Sequence, residues 1–418
     1  MELNEILQIA LRASASDIHL KAGLPPMFRI DGALMPLKEA RRLPPEEVAR
    51  MASGIMNEFQ KERFKQTNEV DLAYGVPGLG RFRVNVFQQR GTVGCVLRVI
   101  PFKILSIDQL MLPKVIEKLA GEQRGLILVT GTTGSGKSTT LAAMIDHINA
   151  AETCHIMTIE DPIEFLVRDK RSIVNQREVG VDTMSFGQAL KSALRQDPDV
   201  ILVGEMRDLE TIETALTAAE TGHLVMSTLH TLDATETVNR IISAFPPYQQ
   251  KQVRLQLGSV LKGVVSQRLV PRADGRGRVP AIEVLLNTAR VRELIEDKDR
   301  TKEIPDAIAQ GHVSYGMQTF DQSLMSLLRS SLITYEEALR QATNPDDFAL
   351  RVSGISGTSD SKWDGFERPA AVAPAAAPRP APSGSTPPPV PGTPARPAPL
   401  QSGKPADGTE DDFQIERF

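Results

Sequence analysis

"GLILVTGTTGSGKSTTLAAMIDHI", residues 125–148, decides the fold. It opens on a near-continuous apolar run, the pattern of a strand buried on both faces of a parallel sheet, and it closes on a helix. Between them "GTTGSGKS" (131–138) satisfies the spacing GxxxxGK[ST]. In such a loop, here Gly131, Thr132, Thr133, Gly134, Ser135, Gly136, Lys137 and Ser138 with Thr139 behind them, glycines let successive N–H groups turn inward around phosphate oxygens. The following helix begins there, and its dipole favours an anion. Lys137 is placed to reach the β- and γ-phosphates, and the Ser138 hydroxyl to ligate magnesium. A chance Gly/Ser/Thr loop is the alternative, and it does not account for eight matching positions in a strand–loop–helix setting.

Working outward, "DVILVGE" (199–205) is a second buried-strand run. In many phosphate-loop NTPases an aspartate stands where Gly204 stands here, holding the metal. Glycine has no ligand to offer, so Glu205 is expected to cover the magnesium shell, in part through a bound water. "TIEDPIEF" (158–165) puts Glu160, Asp161 and Glu164 at or just past another strand end, the edge where ligands bind in a parallel α/β sheet. A carboxylate there can orient or deprotonate an attacking water. On residue types alone a solvated acidic loop reads as well, and the upstream phosphate loop tips the reading towards a site. "TGHLVMSTLHT" (221–231) carries His223 and His230, seven apart around a strand and with no third ligand for a metal. They read either as satisfied structural histidines or as a γ-phosphate sensor. Arg81, Arg83 and Arg98 read either as a solvated sheet face or as cations supplied to a phosphate bound by a neighbouring subunit.

The phosphate loop sits in a block from about residue 112 in which strands and helices alternate, the signature of a parallel sheet with crossovers. After about residue 260 the pattern turns helical, as in "TFDQSLMSLLRSSLI" (319–333) and "TYEEALRQAT" (334–343). Ahead of it, residues 1–100 start with an amphipathic stretch (Leu3, Ile6, Leu7, Ala10, Leu11) and then run mostly to β, with a helix start at "PPEEVARMASGIM" (44–56). "GRFRVNVFQQRGTVGCVLRVIP" (80–101) reads as a hairpin, Phe82, Val84 and Val86 on one face and Arg81, Arg83 and Asn85 on the other. The divisions are therefore an α+β domain at 1–100, a linker at 101–111, an α/β domain with a helical end at 112–354, and a tail at 355–418. Between 369 and 405, 13 of 37 residues are proline, so that tail is expected to be disordered and partly polyproline. It ends in "EDDFQIERF", where Phe413, Ile415 and Phe418 read as a random tail end or as a docking motif.

Composition narrows the classes. The formal net charge of −4 over 418 residues gives no global reason for a nucleic-acid or anionic-membrane partner. Cys95 and Cys154 form no CxxC pair and cannot make a zinc site. No 18-residue apolar run occurs and the amino terminus has no leader pattern, so membrane contact is expected only through partners.

Together these residues resemble the secretion-superfamily ATPases, and within them the type IV pilus retraction branch, over roughly residues 1–353. The carriers are "ASDIHLKAGLPPMFRIDG", "GTTGSGKSTT", "TIEDPIEF", "ILVGEMRDLETI", "TGHLVMSTLHT" and "YGMQTFDQSL". The resemblance implies a PAS-like domain joined to a RecA-like ATPase domain, a homohexameric ring, and ATP with magnesium bound between the domains. It implies hydrolytic roles for Glu164 and Glu205, places His223 and His230 on the histidine-box positions, and sets Arg81, Arg83 and Arg98 where nucleotide-sensing arginines stand. It further implies a motor at the cytoplasmic face of the inner membrane, working on pili through a platform protein there. Extension and type II secretion ATPases are similar, but commonly add a front domain and a tetracysteine zinc insertion. The stretch "NTARVRELIEDKDRTKEIPDAI" (287–308) matches the branch's late helix only in part, and the tail lies outside its pattern. A RecA-like nucleic-acid translocase and a nucleotide-binding regulator without turnover are the readings from other classes. The first needs a basic lining, and the second leaves Glu164 and Glu205 without a role.

Overall fold

The computed structural model describes residues 2–30, 32–37, 40–100 and 103–354. The expected proline-rich tail (355–418), and residues 101–102 of the expected linker, lie outside the described residues.

The first domain follows from period-two alternation. Its strands are β1 (Asp17–Lys21), β2 (Met27–Ile30), β3 (Ala33–Pro36), β4 (Glu69–Val76), β5 (Gly80–Gln89) and β6 (Thr92–Ile100), in the order β3-β2-β1-β6-β5-β4, each pair antiparallel. On β5, Phe82, Val84 and Val86 are fully buried, while Arg83 between them is exposed. The helices Leu3–Arg12 and Pro45–Ile55 cover that apolar face with Ile6, Leu7, Val48 and Met51. Each such side chain, taken from water, contributes about 1.5–3 kcal/mol. The result is the expected PAS-like α+β arrangement, one face packed and one face carrying arginines.

The second sheet holds β7 (Gly125–Thr130), β8 (His155–Glu160), β9 (Ile173–Glu178), β10 (Val200–Val203), β11 (Leu224–Leu229), β12 (Leu261–Pro271) and β13 (Arg278–Leu286). Their order is β13-β12-β7-β11-β10-β8-β9, parallel from β12 to β9, with β13 antiparallel at the edge. Alternate residues of β7 feed two cores: Leu126 and Leu128 join the helices on one face, Ile127 and Val129 those on the other. That two-sided burial is why β7 and β10 read as near-continuous apolar runs. Because the six strands point one way, their carboxyl ends share one edge. Both sheets belong to one compact unit.

One sequence expectation is corrected by the structure. The chain does not turn helical at 260: β12 and β13 form a long hairpin first, closed by "ADGRG" at 273–277, and only then do the helices Phe320–Arg329 and Tyr335–Gln341 pack onto its outer end. Ser266 and Gln267 break the apolar run of β12 because they bond Thr130 and Thr140 at the phosphate loop, and Gly263 breaks it where Leu119 and the Leu285 carbonyl press close. Strand β9 also escapes a pattern reading, since as the sheet's edge it exposes Ile173 and Asn175.

Candidate active site

The carboxyl edge opens into a cleft of about 540 Å³ whose walls are the phosphate loop, the helix Lys137–Ala151 and the ends of β8, β10 and β11. The loop is a continuation of β7. Gly131, Gly134 and Gly136 have φ of 140°, 80° and 93°, the left-handed region that glycine tolerates. Space enforces two of them: a Cβ on Gly131 would lie 2.4 Å from the Gln267 carbonyl oxygen, and one on Gly136 2.6 Å from Gln267 Nε2. The same Gln267, on β12, accepts from Thr140 Oγ1 at 2.8 Å, while Thr130 Oγ1 donates to Ser266 Oγ at 3.0 Å. Strand β12 thus braces the loop from behind.

Within the loop, Thr132, Thr133 and Gly134 are exposed at its tip, Ser135 is buried, and Ser138 and Thr139 are half-buried on the first helical turn. The buried Ser135 hydroxyl has no partner, which suits a loop shaped for a ligand oxygen. Lys137 Nζ turns back to donate to the carbonyls of Gly131 at 2.8 Å and Thr132 at 3.1 Å. Burial pushes its ammonium pKa down, against the upward pull of Glu205 and Glu164, so both acids act electrostatically on this cation from separate segments.

Glu205 follows β10 and is held on both oxygens. Arg207 Nη2 lies 2.7 Å from Oε2, and His230 Nε2 lies 3.1 Å from Oε1. Burial alone would raise its pKa, but bonds to Arg207 and the charge of His230 and Arg207 outweigh it, and the carboxyl sits below its ordinary range. Gly204 answers to packing: a Cβ there would stand 3.2 Å from the Ile159 carbonyl and 3.3 Å from Glu160 Cα. Thr228 Oγ1 of β11 also donates to the Gly204 carbonyl at 2.7 Å. The strand ends are drawn so close that the acid is delivered one residue later.

Glu160, Asp161 and Glu164 all line the cleft. Glu160 is not free to act on water. Its Oε1 accepts from Thr158 Oγ1 at 2.6 Å and from Gln176 Nε2 at 3.2 Å, and burial nevertheless carries its pKa up. Glu164 is exposed and lies in the cleft, so of the three it best fits a role towards the γ-phosphate.

The two histidines part company. His230 follows β11 at the cleft, but His223 precedes it and bonds the Ala218 carbonyl at 2.9 Å through Nδ1. Six strand residues at about 3.3 Å each put some 20 Å between them, so within one chain the expected paired sensor is not formed. The arginines are also elsewhere. Arg98 Nε donates to Asp17 Oδ1 at 2.8 Å, Arg81 Nη2 to Glu178 Oε2 at 3.0 Å, and Arg83 is exposed beside Arg98 on the neighbouring strand. None of the three lines the cleft.

Sequence reasoning missed Gln267, Arg207 and Arg278. Arg207 stands two residues after Glu205 and carried a signal, since a cation that close can clamp the acid. Gln267 and Arg278 lie on the unread hairpin and carried none.

Residues 1–340 match the family described as type II/IV secretion system protein. The type IV pilus retraction ATPase PilT of Pseudomonas aeruginosa is 47% identical over 351 residues, 83% of this chain and 100% of that protein. The type IV pilus ATPase PilU of the same organism is 44% identical over 361 residues, 86% of this chain and 94% of the other. A crystal structure of the pilus retraction motor PilT with bound ADP superposes with a TM-score of 0.76 at 48% identity, covering 83% of this chain and 98% of that one.

Proposed function

The chain belongs to the type II/IV secretion system protein family, and on that premise we propose that it is an ATPase motor that powers retraction of type IV pili. The observation that carries the reading is Lys137, folded onto its own loop carbonyls and drawn upon by two acids from different segments. Such a cation is ready to exchange the carbonyls for β- and γ-phosphate oxygens when ATP enters.

The N–H groups of the loop and the amino terminus of Lys137–Ala151 then surround the phosphates, in the positions that Gly131 and Gly136 leave clear. The donors present fit magnesium, a hard cation that keeps several waters: one hydroxyl from Ser138, and an ionised Glu205 two strands over to hold a water. Bound there, magnesium would neutralise charge developing on the phosphate oxygens. Glu164 orients the attacking water, and His230, bonded to Glu205, reports the γ-phosphate to β11.

Around this site the functional organisation follows the family: a PAS-like domain at 1–100, a linker at 101–111 and a RecA-like domain at 112–354. Six chains form the ring, with Arg83 and Arg98 turned towards nucleotide at the boundaries. His223, at the far edge of the sheet, serves that boundary rather than its own cleft. The ring works at the cytoplasmic face of the inner membrane on a platform protein of the pilus.

Imaging of labelled pili in a strain carrying Lys137→Ala tests the reading. Pili that extend but no longer withdraw are expected, with more of them on the surface. A strain that loses its surface pili instead would make this an extension motor.

A further inference from the structure

We propose that Glu178 is a positioning residue that couples the seating of the first domain, through Arg81, to the segment carrying Glu164. Glu178 is the last residue of β9 and pairs in register with Glu160, the last residue of β8. Its side chain is 7% exposed. One oxygen, Oε2, accepts from two donors that belong to different parts of the molecule: Arg81 Nη2 of β5 at 3.0 Å and the backbone N–H of Ile163 at 3.2 Å. Ile163 is itself 1% exposed and immediately precedes Glu164. Strand β9 anchors the arrangement from below, since the Glu178 N–H donates to Asp182 Oδ2 at 2.8 Å.

A buried carboxylate needs its partners, and removing one leaves the other to compensate. Glu178 therefore cannot lose Arg81 without its hold on Ile163 changing. Arg81, for its part, grips end-on. Its Nε is buried without a partner, so the fork of two parallel bonds that makes arginine–carboxylate pairs tenacious is not formed here. Held by one bond rather than two, Arg81 is the point at which a shift of the first domain would reach Ile163. Seated, the domain fixes Glu164 at the cleft; displaced, it frees the carboxylate, and the segment 160–164 follows. Arg81 then acts through Glu178 rather than on a phosphate. This inference rests on the ATPase reading above.

A double-mutant cycle tests it, with kcat for ATP, the Kd for ADP and amide exchange at Ile163 measured on the full chain. Arg81→Gln and Glu178→Gln each are expected to lower kcat by about tenfold or more, because small misplacements of a catalytic group have effects of that order. ADP affinity is expected to stay within about threefold, since the phosphate loop is untouched. The double variant should be no slower than the slower single one, because both break one pathway. Arg81→Lys, which keeps the charge, should recover most of the rate. Exchange at Ile163 should rise in Arg81→Gln whether or not the chain turns over ATP. Losses that multiply in the double variant, or Ile163 exchange unchanged in Arg81→Gln, overturn the role. Absence of turnover in the wild-type chain would instead overturn the ATPase reading, with the exchange result still deciding this one.

Discussion

Lys137 and Glu205 enter the cleft from different segments, and their variants should fail differently. Lys137→Ala removes the cation drawn towards the phosphates and is expected to lower turnover more than tenfold, a loss within what charged groups on a developing phosphate supply. Steady-state phosphate release checks it. Glu205→Gln and Glu164→Gln should still bind ADP, yet lose about 10²–10⁴-fold in kcat, the usual effect of removing a group that holds or activates water. Collapse of binding with normal residual turnover would make these acids structural. At this scale much of the site was legible, for a physical reason: parallel strands deliver whatever follows them to one edge, so Lys137, Glu164, Glu205 and His230 could be placed by counting. The sensor reading of His223 runs against the same rule. A residue before a strand goes to the opposite edge, and the spacing of seven that joins two histidines in sequence separates them by the length of β11.

Among the elements, β10 and the hairpin β12–β13 decide how the cleft holds its shape. Gly204→Ala would press a methyl against backbone atoms of Ile159 and Glu160 that cannot move aside, and is expected to cost about 1–3 kcal/mol, read as a lowered denaturation midpoint. The hairpin was illegible because β12 serves the loop and the core together, and its polar Ser266 and Gln267 disguised it. It also carries Glu283, buried, which accepts from the Ala234 N–H at 2.8 Å. Burial and the nearby Asp233 push its pKa to about 7, against the pull of the Ala234 N–H, Arg268 and Ser266. The folded chain thus binds a proton that the unfolded chain releases near 4.5. The stability this proton confers is full below about 4.5 and is lost as pH rises through about 7. Thermal unfolding of Glu283→Gln across that window should show the variant gaining on the wild type as pH rises. A constant difference would mean that Glu283 does not titrate there.

The whole molecule places an arginine-bearing sheet in one compact unit with the sheet that carries the Gly131–Ser138 loop, and only Arg81 of the three named arginines reaches across between them. Alternation within β5 made the arginine face legible. Its partners were not, because Asp17 and Glu178 lie 81 and 97 residues away in sequence. If Arg98 serves a neighbour's nucleotide, rings mixed from Lys137→Ala and Arg98→Ala chains should recover some activity that neither has alone, since some boundaries keep both groups. A motor built this way turns over ATP only once the ring is assembled. ATP hydrolysis by the purified chain, measured over a wide range of protein concentration with sedimentation at each point, tests this most directly. Specific activity is expected to rise steeply with concentration and to level off as a six-chain species forms. Turnover at constant specific activity from monomers would contradict it.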